Sequence, residues 1–221
     1  MTTETPAGTD LLGLLKGVDA FTHKVFPESA ELFSELATGQ APHTLFITCA
    51  DSRVVPEMIT QTQPGELFVC RNIGNIVPGY GEMLGGVSAV VEYAIMVLGV
   101  SQIVVCGHTD CGAMKGLLAP DSTRGMPTVE AWLRNAEAAR SAIFARRLEG
   151  ADAMQALIEE NVRLQLIHLR THPAVAAGLA ERRLALQGWV YDIEHGRVSI
   201  LDEAAGTLIT LDEAIAREAA L

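Results

Sequence analysis

A histidine and a cysteine that could bind a metal lie close together in residues 101–116, SQIVVCGHTDCGAMKG. The β-branched run at 103–105 predicts a buried strand, which we expect to stop at Gly107. His108 and Cys111 follow directly. Imidazole and thiolate groups are typical zinc ligands, and a catalytic zinc ion takes three protein ligands. This segment therefore supplies two of the three.

The third ligand is predicted in a second segment, residues 44–54, TLFITCADSRV, where Cys49 follows another apolar run. Ligands of open α/β sheets bind at the carboxyl ends of the strands. We therefore expect Cys49 to lie beside His108 and Cys111 and to share one ion with them. Two thiolates and one imidazole would leave one tetrahedral position free, which is the catalytic rather than the structural pattern.

Asp51 and Arg53 follow Cys49 closely and could take part in the chemistry. Asp51 could bind the metal or accept a hydrogen bond from an oxygen bound to it. A bidentate pair with Arg53 would keep Asp51 ionised and off the metal. The Gly112 amide, at a predicted helix start, could hold a substrate oxygen. On its own, however, an Asp-x-Arg pattern is more often a surface ion pair.

The remaining cysteines are predicted to be structural. Cys70 and Cys106 lie inside apolar runs, where a thiol usually behaves as a small buried hydrophobic group. The sequence has no Cys-x-x-Cys motif, which disfavours a thiol-redox site. The five histidines other than His108 have no partner pattern and are predicted to be solvent or packing residues.

Strand-like and helical patterns alternate along the chain. Apolar runs predict strands at 45–48, 67–70 and 101–106, and a hairpin at 188–193 and 197–201 around His195-Gly196. Helical patterns cover about 56–61, 86–98, 112 onward, 128–148, 151–171 and 173–183. We predict an α/β fold: a mainly parallel central β-sheet flanked by helices, with a C-terminal helical region and β-hairpin.

Two helical patterns before the first strand predict an N-terminal helical arm over residues 1–39 that could pack on another subunit. Residues 40–221 are predicted to form a single α/β zinc-binding catalytic domain, since no break in composition divides them. The glycine-rich stretch 72–86 predicts a long loop, and such loops are often functional.

The composition argues against several classes of partner. The 221 residues carry a formal charge of −11, which disfavours nucleic acid and anionic membranes. The N-terminal residues do not resemble a signal peptide, and the most apolar stretch is too short to span a bilayer. We therefore expect a cytoplasmic protein whose cysteines are thiols or metal ligands rather than disulfides.

The motifs CADSR at 49–53 and GHTDCG at 107–112 resemble those of the β-class carbonic anhydrases. The resemblance extends through GQAP, QPGELFVCRNIGNIVP, GGVSAVVEYA and ALQGWVYDIEHG, in that order, and covers about residues 30–202. Within the class, the chain resembles a bacterial branch found beside cyanate-degrading enzymes, with cyanobacterial relatives. The resemblance implies zinc-dependent reversible hydration of carbon dioxide to bicarbonate and a proton.

The resemblance also assigns roles to residues. It implies one Zn²⁺ per chain bound by Cys49, His108 and Cys111, with Asp51 and Arg53 as a catalytic pair. It implies a homodimer as the minimal active unit, often paired into a tetramer, with part of the pocket wall coming from the partner subunit. The substrate-binding residues that it implies are Gln40, Phe68, Ile73, Tyr93 and Gly112, with isoleucine at 73 where the family usually has valine.

The family contains two kinds of site. In one, the aspartate binds zinc at low pH, and bicarbonate fills a regulatory pocket that uses a tryptophan, an arginine and a tyrosine. Arg71 and Tyr191 match two of these residues, but Phe46 stands at the tryptophan position. We therefore expect the other kind, with Asp51 paired to Arg53.

Two alternative functions remain open at this stage. A carbon disulfide or carbonyl sulfide hydrolase on the same fold would use the same ligands. A non-catalytic protein stabilised by zinc would need neither the Asp51–Arg53 pair nor Gln40, so the presence of these residues argues against it.

Overall fold

The computed structural model describes residues 11–82 and 85–220, so the first ten residues of the predicted arm lie outside the described part. The chain divides into two compact units, Met1–Gln40 and Ala41–Leu221. The assignment of the second unit as one catalytic domain stays a prediction. Among the described residues, no helix has the length and apolar character needed to cross a membrane.

The second unit contains one six-stranded sheet. The four strands β2, β1, β3 and β4 pair in parallel, and β5 and β6 then add antiparallel. This is the predicted mainly parallel sheet with a C-terminal hairpin. The strands are β1 (Thr44–Cys49), β2 (Leu67–Asn72), β3 (Gln102–His108), β4 (Ala185–Asp192), β5 (Arg197–Asp202) and β6 (Thr207–Ile209).

Helices flank the sheet and connect its strands. In the second unit they are α4 (Pro56–Thr60), α5 (Gly86–Met96), α6 (Gly112–Leu118), α7 (Pro127–Leu133), α8 (Glu137–Ala145), α9 (Gly150–Thr171), α10 (Pro173–Ala180) and α11 (Leu211–Glu218). Short 3₁₀ turns occur at Ile73–Asn75, Pro120–Thr123 and Arg134–Ala136. In the first unit, α1 (Leu11–Ala20), α2 (Phe26–Glu28) and α3 (Ala30–Leu36) are joined by a π-helical turn at Phe21–Val25.

The sheet is buried because its central strands are apolar on both faces. All six residues of β1 are buried, as are six of the seven residues of β3. Helix α9 crosses β3 closely, since a Cβ atom on Gly107 would lie 2.9 Å from Val162 Cγ2. The absence of a side chain at Gly107 therefore lets α9 approach the end of the strand from which the predicted metal ligands project.

Three differences from the sequence predictions are informative. Strand β3 does not stop at Gly107 but continues through His108, because its backbone pairs with Tyr191 in β4. The helix predicted at 128–148 is two helices, α7 and α8, separated by a 3₁₀ turn. Strand β6 and helix α11 were not predicted, and a Thr210–Glu213 capping box starts α11.

The first unit has a small aromatic cluster of its own. Phe26 and Phe33 stack at 5.3 Å between ring centroids, and Phe21 packs edge-on against both. The apolar side of α1, which includes Leu11 and Leu14, is exposed. Packing of this unit on another subunit therefore stays a prediction.

Candidate metal centre

Three metal-binding side chains converge where β1 and β3 end. Cys49 is the last residue of β1, His108 is the last of β3, and Cys111 stands just before α6. These two strands are paired neighbours, as the sequence predicts. The candidate ligand atoms of the three buried residues all lie within 4.8 Å of one another. One tetrahedral ion can therefore contact all three.

The imidazole of His108 is oriented for metal binding. Its Nδ1 lies 2.8 Å from the carbonyl oxygen of Thr109. Nδ1 therefore carries the proton, and Nε2 presents a lone pair. Nε2 is buried and has no hydrogen-bond partner among the described residues. A buried acceptor without a partner is unfavourable, and a metal ion would satisfy it.

The two thiols titrate as a pair. A hydrogen bond from the Cys111 thiol lowers the pKa of Cys49 to about 4, and the backbone N–H of Gly74, 3.4 Å from Cys49 Sγ, acts in the same direction. The pKa of Cys111 is raised because its thiol faces the Cys49 thiolate and is buried. One thiolate therefore forms readily, and a metal ion would displace the remaining proton.

Arg53 binds the carboxylate of Asp51 through two bonds. Its Nε donates to Oδ1 at 2.9 Å and its Nη2 to Oδ2 at 2.8 Å. These bonds hold the pKa of Asp51 well below its usual range. Oδ2 lies 3.9 Å from His108 Nε2. An ionised carboxylate thus stands beside the ligand cluster, with its oxygens oriented by Arg53.

The ion pair extends to two residues that the sequence analysis missed. Arg53 Nη1 donates to Asp110 Oδ2 at 2.9 Å, and Asp110 also pairs with Lys115. Asp51, Arg53, Asp110 and Lys115 together form what we call the charged network. The sequence did contain a signal for Asp110, because an acidic residue between the ligands His108 and Cys111 must lie near the metal centre.

Arg71, which matches the arginine of the family's regulatory pocket, is bound to the main chain. It donates to the carbonyl oxygens of Cys49 at 3.2 Å and Asp51 at 2.6 Å. The Phe46 ring is buried and packs edge-on against Trp189. Arg71 therefore supports the segment that carries Cys49 and Asp51, which leaves it fewer donors for an anion.

Two of the predicted substrate-binding residues lie beside the cluster. Ile73 and Gly112 line a cavity of about 400 Å³ together with Cys49 and Asp51. Trp132 Nε1 donates to the carbonyl oxygen of Ile73 at 2.7 Å and fixes this part of the wall.

The other three predicted substrate residues do not line this cavity. Phe68 and Tyr93 pack against each other with ring centroids 6.0 Å apart. Gln40 is exposed and belongs to the first unit. The roles of all three stay predictions.

The two structural cysteines are buried, as predicted. Burial raises the pKa of Cys106 to about 12, so this thiol stays protonated near neutral pH. Of the other histidines, His168 and His172 hold the loop that follows β2, through the carbonyl oxygens of Val77 and Pro78. His195 is exposed and pairs with Asp192.

Comparisons with known proteins agree on one family. The family model described as carbonic anhydrase matches residues 44–198. A carbonic anhydrase of Pseudomonas aeruginosa is 53% identical over 201 residues, which cover 90% of this chain and 91% of that protein. Carbonic anhydrase 1 of Escherichia coli O157:H7 is 49% identical over 199 residues, which cover 90% and 91% of the two chains.

Solved structures give the same result. The β-carbonic anhydrase CcaA superposes with a TM-score of 0.87 at 43% identity, covering 89% of this chain and 90% of that one. A β-carbonic anhydrase of Sordaria macrospora, described as tetrameric, gives a TM-score of 0.78 at 32% identity, covering 86% and 95%.

Proposed function

Because the chain belongs to the β class of the carbonic anhydrase family, we propose that it catalyses the reversible hydration of carbon dioxide to bicarbonate and a proton. The observation that carries the proposal is the convergence of Cys49, His108 and Cys111 beside an ionised Asp51. A purely structural zinc site is usually closed by four protein ligands and has no use for such a carboxylate.

We propose that the three residues bind one Zn²⁺ per chain. The unpartnered Nε2 of His108 and the adjacent thiols of Cys49 and Cys111 suit this ion, which favours nitrogen and sulfur ligands. When bound, zinc is a Lewis acid that makes hydroxide available from water near neutral pH.

Asp51 and Arg53 are proposed to orient the attacking oxygen. Because Arg53 keeps Asp51 ionised, the carboxylate can only accept hydrogen bonds. It therefore selects a nucleophile that still carries a proton and turns its free lone pair toward the substrate. The same two bonds from Arg53 restrain the carboxylate from moving to the metal.

The cavity beside the cluster suits carbon dioxide. Its wall includes Ile73, Met126, Val129 and Leu133, whose apolar side chains favour an apolar gas over water. Gly112 is proposed to offer its backbone N–H to the oxygen that gains negative charge. Phe68 and Tyr93 are proposed to complete the pocket, and Gln40 stays a predicted substrate-binding residue.

We further propose that the active protein is a cytoplasmic homodimer or tetramer. The relative of Sordaria macrospora that is described as tetrameric supports this assembly. Ile73 and Tyr93 are both about half exposed in the single chain (46% and 47%), as expected for a wall that a partner subunit covers.

Stopped-flow measurement of proton release after mixing with carbon dioxide tests the function. Zinc-loaded protein should accelerate the release, and Cys49→Ser should lose both zinc and activity. Carbon disulfide and carbonyl sulfide are offered in parallel. Turnover of these gases without carbon dioxide hydration would contradict the proposal, and so would full activity of Cys49→Ser.

A further inference from the structure

The loop after β2 connects the metal centre to helix α9 through one residue, Gly74. The backbone N–H of Gly74 donates to Cys49 Sγ at 3.4 Å. Its carbonyl oxygen accepts a hydrogen bond from Asn161 Nδ2 at 3.0 Å. The same residue therefore contacts a metal-binding sulfur on one side and a side chain of α9 on the other.

The contact continues along α9 to a second amide. Gln165 Nε2 donates to Asn161 Oδ1 at 2.7 Å, and Gln165 Oε1 accepts from the backbone N–H of Val77 at 2.9 Å. We call Gly74, Val77, Asn161 and Gln165 the amide network. Because the Val77 N–H can only donate, it sets the orientation of Gln165, which in turn sets that of Asn161.

The side-chain amides of Asn161 and Gln165 are unusual because both are buried in the core. Asn161 is 1% exposed and Gln165 is fully buried, on the side of α9 that also buries Val162 and Leu166. Buried amides are unfavourable unless their hydrogen bonds are satisfied, and an apolar pair would pack here without that requirement. Asn161 and Gln165 are therefore satisfied by hydrogen bonds to the backbone of the loop after β2.

Gly74 cannot be replaced by another residue without a shift of its neighbours. Its φ angle is +78°, and a Cβ atom would lie 2.8 Å from Ala113 Cβ in α6. The Gly74 backbone is thus confined between α6, which follows Cys111, and the sulfur of Cys49. Small displacements of this backbone change the N–H···S contact directly.

We propose that Asn161 and Gln165 are positioning residues of the metal centre. They hold Gly74 so that its N–H stays on the Cys49 sulfur, which orients that ligand and limits the charge that it donates to a bound metal. The inference rests on the proposed zinc site. Losing a residue that orients a metal ligand typically lowers metal affinity or activity by about 10- to 100-fold.

Two near-isosteric variants test the proposal, with zinc affinity measured by competition with a chromogenic chelator. Asn161→Leu removes the donor to Gly74 and should weaken zinc binding by about tenfold or more. Gln165→Met keeps the Asn161 donor but removes the hydrogen bond that orients the Asn161 amide. It should therefore weaken zinc binding less than Asn161→Leu does. Gln155→Met is the matched control, because Gln155 lies on the exposed side of α9 and its side chain donates a hydrogen bond to Glu159, away from the amide network.

The absorption spectrum of cobalt-substituted protein distinguishes a positioning role of Asn161 from a purely structural one. In cobalt-substituted protein, the sulfur-to-cobalt charge-transfer band should shift in Asn161→Leu and stay unchanged in Gln155→Met. Unchanged zinc affinity and an unchanged band would overturn the proposal, even if thermal stability fell. If Asn161→Leu does not fold, the same two readouts on Gln165→Met decide.

Failure of this inference is distinguishable from failure of the proposed function. The readouts compare zinc affinity and spectra with those of the parent protein and do not use carbon dioxide. A parent that binds zinc at Cys49 but releases no protons from carbon dioxide would contradict the function alone. Equal zinc affinity together with an unchanged cobalt band in the parent and Asn161→Leu would contradict the positioning role alone.

Discussion

The two sides of the ligand cluster are held by different chemistry. The charged network lies on the open side, and the side chains of Arg53 and Asp110 there are 44% and 54% exposed. The amide network lies on the closed side and is buried. Burying an ion pair carries a large desolvation penalty, whereas a fully hydrogen-bonded neutral amide can be buried at little cost. The charged groups therefore lie where water can solvate them, and neutral amides hold the side of the ligand cluster that faces the core.

The largest expected effect concerns the charged network. Asp51→Asn keeps the shape of the side chain but replaces one accepting oxygen with a donor. We expect kcat for carbon dioxide hydration to fall by about 10²- to 10³-fold, as when one oriented hydrogen bond to the reacting oxygen is lost. Zinc content by atomic absorption should stay at one per chain. A fully active variant would contradict the role of Asp51.

The next effect concerns the closed side. Gly74→Ala places a methyl group against Ala113 at a positive φ angle, and we expect the free energy of unfolding to fall by about 2–4 kcal/mol. Chemical denaturation of the metal-free protein measures the change. Gly81→Ala is the control, because Gly81 also has a positive φ angle but a Cβ there would meet no atom of the described residues within 4 Å. If the free energy of unfolding fell equally in both variants, the contact with Ala113 would not be the cause of the loss in Gly74→Ala.

A matched pair of substitutions compares the two networks directly. Asn161→Leu strands buried hydrogen-bonding groups and should destabilise by about 1–3 kcal/mol. Asp110→Asn weakens exposed, solvent-screened ion pairs and should destabilise the fold less than Asn161→Leu does, with an effect that shrinks as salt is added. Denaturation at low and high salt measures both. A larger loss for Asp110→Asn would reverse the comparison.

The smallest expected effect is a pH dependence of stability, which an ion pair between β5 and α11 has and the buried amides lack. Arg217, 2.5 Å from Asp202, lowers the pKa of Asp202 in the folded protein. Because the folded pKa lies below the unfolded one, this pair contributes stability above about pH 4, the ordinary pKa of an aspartate. The contribution is lost as the pH falls through the lowered pKa.

Thermal unfolding from neutral to acidic pH measures this dependence. Asp202→Asn should lower Tm at neutral pH and converge with the parent in acid. Gln165→Met should lower Tm by a similar amount at every pH, because neither amide ionises. A loss in Asp202→Asn that is the same at all pH values would show that the ion pair is not its cause.

Much of the site was predictable because it depends on local patterns. Apolar runs placed β1 and β3, and a parallel sheet brings the ends of such strands to one edge. Cys49, His108 and Cys111 could therefore be expected to meet, and they do. The exact end of β3 was not predictable, because pairing with β4 rather than local sequence extends the strand to His108.

The hydrogen bonds and ion pairs that were not predicted join residues that are far apart in the sequence. Asn161 and Gln165 are polar residues on a buried helix side, which is visible in the sequence, but Gly74 lies 87 residues from Asn161. Asp110 likewise binds Arg53 across 57 residues. No pattern along the chain reveals such pairings. The substrate roles of Gln40, Phe68 and Tyr93 stay predictions, since these residues do not line the cavity.

X-ray absorption at the zinc edge tests the central claim most directly, namely that Cys49, His108 and Cys111 hold one zinc ion with a position left for substrate. The account predicts two sulfur ligands at about 2.3 Å and two nitrogen or oxygen ligands at about 2.0–2.1 Å. In Cys111→Ser the sulfur count should fall to one. Four protein-derived sulfur and nitrogen ligands in the parent, or an unchanged sulfur count in Cys111→Ser, would contradict the account.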